Sequence, residues 1–476
     1  MEEPKSRKRL AAVFVAVAAL LCAGAVLAGA STRAPDAAAI AAAAAASTGA
    51  SLNVPTPATV PARPVPTTGA DARTLRSCSV AALAADPRLA DFQAQVVNAA
   101  TGEVLFDRGG DTSSRTASVL KVLTSAAALE VLGPDYRATT TVVAGSTPGS
   151  VVLVGGGDLT LTRLPTGTES VYPGAAHLDE LARRTLDAWQ ANPANPPSTS
   201  LVLDASFFGG PGWEPSWDVL ERNAGSIPDV TALQVDGDRD DPTRRTSTRS
   251  TDPVGRAGAA FAAALGGGLN GGLSVSVGTA PAGAEQLAEV ESQPVSVLIG
   301  QSLIVSDNAL AEMLARLVAV ESGAGNTFGA LQQSVVAALD SYGIDTTGIV
   351  IADGSGLSDN NAVPPSYLTR LFVKINDRDG DLGVIFDGLP IAGGPTGSLS
   401  YSDRFTGDNA IAAGAVFAKT GWIDTGYTLS GIIRAADGTP LTFAVYALGD
   451  VSDNAKQALD TITAGFFRCG DDLSNS

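Results

Sequence analysis

The chain is nearly without histidine: His177 is the only one in 476 residues. A histidine cluster for zinc is thereby excluded, and the three cysteines offer no pair at metal-ligand spacing. A Ser-His-Asp hydrolase would have to use His177 as its base, yet no G-x-S-x-G elbow is present. His177, in "GAAHLDEL", reads instead as a surface helix residue. No G-x-x-x-x-G-K-[ST] phosphate loop occurs either. Positive charge is also short, with 31 Lys and Arg against 49 Asp and Glu, a formal charge of −18. That balance argues against nucleic acid as a partner, which calls for a basic patch. The acidity reads as solubility outside the cell. What the chain does have is apolar mass: 45% hydrophobic residues, enough for a large core in two or three domains.

The first 30 residues form a targeting segment. Lys5, Arg7, Lys8 and Arg9 precede an uncharged run from Leu10 to Ala30. Positive charge before an apolar stretch is the pattern of export. Ala28-Gly29-Ala30 suits cleavage, but the run is also long enough to span a bilayer, so signal peptide and retained anchor both stand. Cys22 lies within the run, but Ala19 and Leu21 do not fit a lipoprotein signal. Residues 31–75 are rich in Ala, Pro, Thr and Ser and read as a flexible linker. Beyond it only Cys78 and Cys469 remain, at the two ends of the folded part. In an oxidising compartment the pair suggests a disulfide, two free thiols being the alternative. A bridge requires the two ends to meet in space.

Strand signals recur at both ends. "QAQVVNA" and "EVLFDRG" flank Thr101-Gly102; "AVFAKTG", "GYTLSGIIRAADG" and "TPLTFAVYALG" come late, with Asp437-Gly438 as a hairpin turn. A last helix starts near Asp453. These predict an antiparallel sheet built from both ends and covered by helices. "TASVLKVLTSAAALEVLG" reads as a helix ended by Gly133-Pro134, and "ALAEMLARLVAV" as another. Between them, residues 141–295 alternate short β-like runs with Gly/Pro-rich turns and read as an inserted β-containing domain.

With histidine, metal and phosphate chemistry set aside, a serine activated by lysine remains. Ser118 and Lys121 are three residues apart, on one face of a helix. A lysine base must be neutral part of the time, which burial or a nearby cation makes possible. Lys419-Thr420-Gly421 ends a strand-like run, where glycine permits close backbone approach. The triplet Ser-Asp-Asn occurs three times, at 306–308, 358–360 and 452–454. Order along the chain selects Ser306-Asp307-Asn308, which falls between the other two motifs; 452–454 reads as a cap for the last helix and 358–360 as a turn.

The trio S-x-x-K, S-D-N and K-T-G marks penicillin-binding proteins and class A β-lactamases. The chain resembles the class C low-molecular-mass penicillin-binding proteins, the D-alanyl-D-alanine carboxypeptidase/endopeptidase family, from about Cys78 to Arg468. "GGGDLTL", "LVLDASFF", "PSW", "ALQVDGD" and "DGSGLS" are similar to that family's signature stretches. The resemblance implies an α+β fold, a β-lactamase/transpeptidase-like domain (76–140 and 296–476) with a large inserted domain (141–295). It implies Ser118 as nucleophile, Lys121 as base, Ser306 as proton relay, Asn308 as a substrate-amide ligand that orients Lys121, and Lys419 as electrostatic support. Thr420 would bind the substrate carboxylate, Gly421 would border it, and the N–H groups of Ser118 and Trp422 would form the oxyanion hole. No cofactor is implied. The implied partners are peptidoglycan peptides and β-lactams at the extracytoplasmic face, with the N-terminal segment as a membrane anchor if it is retained. Trp422 stands where the family usually has a small hydroxyl residue, and Ser398 where threonine is commoner. A β-lactamase or esterase, or a non-enzymatic scaffold, would be alternatives on the same fold. The large insert and the lack of an evident second base for deacylation speak against a lactamase.

Overall fold

Apolar segments from the two ends of the chain meet in one layered structure. The computed structural model describes residues 75–266 and 273–475. The expected signal peptide or anchor (1–30) and the linker, but for Leu75, lie outside the described residues. No helix among the described residues is long and apolar enough to cross a membrane.

Strand Asp91–Asn98 turns at Gly102, whose φ of 75° suits glycine, into strand Val104–Arg108. Far along the chain, strands Val416–Ile423, Gly426–Arg434 and Pro440–Leu448 pair antiparallel in succession. The first hairpin lies beside the last of these strands, where the Ala99 N–H donates to the Pro440 carbonyl at 2.8 Å. Strand Pro440–Leu448 is buried from Leu441 to Leu448, because both sheet faces are covered. Ala444, Tyr446 and Leu448 join a core with the helices Leu120–Val131 and Pro365–Asn376. Phe443, Val445 and Ala447 pack with the C-terminal helix Ala455–Cys469. Two covered faces remove the apolar/polar alternation, so the strand reads as a nearly continuous apolar run broken only at Thr442.

The ends are fastened together. Cys78 and Cys469 form a disulfide with Cα atoms 5.4 Å apart. Cys78-Ser79 pairs in parallel with Leu473-Ser474, and Arg76 bridges Glu103 and Asp471.

Residues 139–291 carry a second, mixed sheet of five strands. Thr139–Ala144 is flanked by Ser150–Gly155 and Gln286–Glu291, both antiparallel to it; Ser200–Asp204 and Ser274–Val277 continue in parallel. Helices Leu178–Ala191 and Pro253–Leu265 share its core. The second helix is easily missed in sequence, since Gly255 and Gly258 lower its helical propensity. Gly258 packs against Leu203, and a Cβ there would come within 2.4 Å of Leu203 Cδ1.

Two sequence expectations are corrected. Ser452-Asp453-Asn454 begins the last helix, but no side chain caps it. The polar groups engage elsewhere: Ser452 Oγ donates to Asn454 Oδ1, and Tyr427 donates its hydroxyl to Asp453. His177 is not a surface helix residue; it is the half-buried N-cap residue before Leu178–Ala191, with Nδ1 3.0 Å from the Leu164 carbonyl.

Candidate active site

Three segments converge on a cleft of about 570 Å³. Ser118 sits in a single 3₁₀ turn, Ala117–Val119, that runs into helix Leu120–Val131. Ala117 has a left-handed φ of 47°, a costly conformation for a residue with a Cβ. Neighbouring glycines accommodate this turn. A Cβ on Gly356 would fall 1.9 Å from the Ala117 carbonyl oxygen. One on Gly421 would fall 2.6 Å from the Thr116 carbonyl oxygen and 2.2 Å from Thr428 Oγ1. The Thr428 hydroxyl, on the strand paired with K-T-G opposite Gly421, donates to that same Thr116 carbonyl at 2.6 Å and so holds the Ser118 turn against the sheet.

Lys121 is fully buried and has three neighbours. Its Nζ lies 2.8 Å from Ser118 Oγ, 2.7 Å from Asn308 Oδ1 and 2.7 Å from the Ser355 carbonyl. The last two can only accept. A neutral amine therefore spends both N–H bonds on them, and its lone pair is left for the Ser118 hydroxyl. Burial lowers the Lys121 pKa to about 8, against the opposing pull of Asp353, Glu312 and Asp307. Burial, together with the charge of Lys121, also holds Lys419 well below the ordinary lysine range.

Ser306 ends helix Val295–Val305 in a left-handed conformation, φ 57°, and Asp307 starts helix Asn308–Glu321. The Asp307 side chain caps that helix, accepting from the Leu310 N–H at 3.1 Å. The triplet thus both caps a helix and turns Asn308 towards Lys121. Lys419 Nζ donates to Ser306 Oγ at 2.9 Å and to the Thr420 carbonyl at 2.8 Å. Thr420 Oγ1 is 2.6 Å from Ser398 Oγ. Ser118, Ser306, Asn308, Thr420, Gly421 and Trp422 all line the cleft, and Trp422 is 58% exposed at its edge.

The model of the D-Ala-D-Ala carboxypeptidase 3 (S13) family matches residues 76–242 and 226–466. A carboxypeptidase of Mycobacterium tuberculosis is 35% identical over 83% of this chain and 84% of its own length. The carboxypeptidase DacB of Mycolicibacterium smegmatis is 36% identical over 82% of this chain and 84% of its own. The chain belongs to the D-Ala-D-Ala carboxypeptidase 3 (S13) family. Its fold is that of penicillin-binding protein 4 from Haemophilus influenzae, matched with a TM-score of 0.66 at 20% identity over 79% of this chain and 96% of that one. The resemblance drawn from the motifs, and the α+β transpeptidase-like fold it implied, are borne out.

Three contributors to this S13 site lie outside the S-x-x-K, S-D-N and K-T-G motifs, two of them, Asp353 and Ser355, within the "DGSGLS" stretch. Ser355 acts through its carbonyl, which carries no side-chain signature. Glu312, one turn past Asn308, accepts from the Gly354 and Ser355 N–H groups at 2.9 and 2.8 Å and so fixes that peptide. Burial, reinforced by Asp353, pushes Glu312 up to about 8. Asp353 is fully buried and accepts from Trp217 Nε1, Asn361 Nδ2 and the N–H groups of Gly356 and Ser358. Its one visible signal is the Asp-Gly-Ser-Gly turn in which it stands. The third triplet is structural: Ser358 Oγ lies 2.6 Å from Ser216 Oγ, and Asp359 accepts from Thr425 Oγ1 at 2.9 Å. Among the described residues no group of three or more His, Cys, Asp or Glu side chains is arranged to hold a metal ion.

Proposed function

We propose that this chain is a serine D-alanyl-D-alanine carboxypeptidase with endopeptidase capacity, acting on peptidoglycan stem peptides through an acyl-enzyme at Ser118. The observation that carries the reading is the three-way setting of Lys121, in which two acceptors fix the amine and leave its lone pair for Ser118 Oγ.

In the reaction, Lys121 takes the Ser118 proton as Oγ attacks the carbonyl carbon between two D-alanines. The negative oxygen is met by the N–H groups of Ser118 and Trp422, with the N-terminal end of the following helix behind them. The C–N bond breaks, and the leaving amine receives a proton through Ser306, which Lys419 supports. Asn308 binds the substrate amide and holds Lys121. Thr420, with Ser398 beside it, receives the terminal carboxylate, and Gly421 leaves room for the chain to lie along the strand. Trp422 supplies no hydroxyl there, so the carboxylate loses one contact and gains an aromatic edge. Water then cleaves the ester, with Lys121 again as base.

β-Lactams present the same carbonyl and acylate Ser118. A relative in the family, penicillin-binding protein 4 of Haemophilus influenzae, has been solved with a β-lactam, TM-score 0.61. Peptidoglycan lies outside the cytoplasm, which agrees with the export signal at residues 1–30; retention of that segment would tether the enzyme to the membrane. Residues 141–295 form the inserted domain of this reading.

A fluorescent penicillin tests the function. Stable labelling of the wild type and none of Ser118→Ala is expected, with unchanged circular dichroism. Labelling that survives the substitution would refute the assignment. Release of D-alanine from a defined pentapeptide, compared with cleavage of a cross-linked dimer, ranks the two activities.

A further inference from the structure

Asp307, the middle residue of the S-D-N triplet, is held from outside the segments that carry the motifs. Arg239 Nη2 donates to Asp307 Oδ2 at 2.8 Å, with the two side chains only 3% and 8% exposed. Tyr172 joins them: its hydroxyl accepts from Arg239 Nη1 at 2.6 Å and donates to Asp307 Oδ2 at 3.3 Å. Both residues belong to the 141–295 segment.

The backbone that presents Arg239 is strained and stapled. Asp236, Gly237 and Asp238 have consecutive left-handed φ values of 55°, 57° and 58°. Arg163 pairs with Asp236 at 3.1 Å, and Arg256 with Asp238 at 3.2 Å. Buried Arg249 donates to the Gly237 carbonyl and, at 3.0 Å, to the Gly225 carbonyl. The next residue, Ser226, accepts from Asn308 Nδ2 at 3.2 Å through its carbonyl. Arg249 therefore ties together the two strips of this segment that touch the triplet, one at Asp307 and one at Asn308. So much order at a buried spot points to a required geometry.

We propose that Arg239 is a positioning residue for acylation: it clamps Asp307 so that Ser306 faces Lys419 and Asn308 faces Lys121, and it neutralises one of the carboxylates that act on the general base. The proposal rests on the serine-lysine reading of the site given above. Through it the inserted segment gains a catalytic task, bracing the triplet from behind.

The charges around these groups are few. Lys121 faces Asp307, Glu312 and Asp353 as well as Lys419; Asp307 faces Arg239, Arg249 and Tyr172. Loss of Arg239 leaves Asp307 anionic beside Arg249 but no longer balanced at short range. Its field then favours protonated Lys121, and the acid limb of the acylation profile moves to higher pH.

The test follows acylation by a fluorescent penicillin from pH 6 to 10 in the full chain, for wild type, Arg239→Gln, Arg239→Lys and Tyr172→Phe. Arg239→Gln is expected to slow acylation by about 10²-fold and to raise the midpoint of the acid limb. Arg239→Lys keeps the charge but loses the fork, so it restores the limb while leaving the rate reduced. Tyr172→Phe keeps every charge and should slow acylation several-fold at an unmoved limb; it also serves if Arg239→Gln does not fold. A limb unmoved in Arg239→Gln, or full rates in Tyr172→Phe, would overturn the proposal. A wild type that is not acylated at Ser118 would instead overturn the functional reading beneath it.

Discussion

At the scale of residues the proposed chemistry rests on how two lysines are kept short of protons. Lys121 and Lys419 are both fully buried; burial lowers the pKa of each, and the charge of Lys121 lowers that of Lys419 further. Carboxylates at Asp307, Glu312 and Asp353 pull Lys121 the opposite way. The balance leaves Lys121 near 8, so the base form grows as pH rises through that value. Acylation rates should therefore climb from pH 6 with a midpoint near pH 8 and level off only above it. A flat profile measured by stopped-flow penicillin fluorescence would contradict this. Lys121→Met should lower the acylation rate by roughly 10²–10⁴-fold, the usual contribution of a positioned base, while β-lactam affinity before acylation changes little. The motif residues were legible in the sequence, since each motif is a short run of side chains. The Ser355 carbonyl was not, because a backbone acceptor leaves no letter in the sequence. Nor was the Arg239–Asp307 pair, whose partners are 68 residues apart.

At the scale of elements, the site depends on how closely a strand and a 3₁₀ turn approach. The K-T-G strand runs against Thr116–Ala117 with no space for a side chain at 421. Gly421→Ala would push its Cβ into the Thr116 carbonyl and the Thr428 hydroxyl. Backbone cannot retreat as a flexible side chain can, so the strand and the turn must separate. A stability loss of about 1–3 kcal/mol is expected for such overpacking. Acylation should fall as well, because the displaced strand carries Lys419 away from Ser306. Thermal unfolding and penicillin labelling of the variant check the two effects together. The same elements show the limits of pattern reading. Strand Pro440–Leu448 was identifiable by its β-branched and aromatic residues, although burial on both faces removed the alternation. The last helix was expected from near Asp453, but its capping was misjudged: Asp453 accepts from Tyr427, on strand Gly426–Arg434.

At the scale of the whole molecule, the sheet and the disulfide depend on one another. Both follow from strand signals that stand at opposite ends of the chain, and for that reason the general plan was visible early. The mixed sheet of residues 139–291 was visible only as scattered β-like runs, since parallel pairing between Ser150–Gly155, Ser200–Asp204 and Ser274–Val277 skips long stretches of chain. Cys78–Cys469 closes a loop with a sequence separation of 391, so its loss releases a large amount of unfolded-state freedom. Replacing either cysteine with serine should reduce stability by roughly 2–5 kcal/mol. A thermal melt of wild type with and without reductant should reproduce the shift; an unmoved midpoint would show that the Arg76 bridges and the pairing of Cys78-Ser79 with Leu473-Ser474 hold the ends alone.

The hairpin of residues 91–108 finds its sheet neighbour at Pro440–Leu448, far along the chain. During synthesis that edge waits, unpaired and apolar, until the Pro440–Leu448 segment has emerged. Vectorial maturation from the N-terminal side is thus closed to this protein, and pairing over such a separation is slow. A nascent or C-terminally clipped chain without Pro440–Leu448 would carry a bare strand edge, open to aggregation and to proteases.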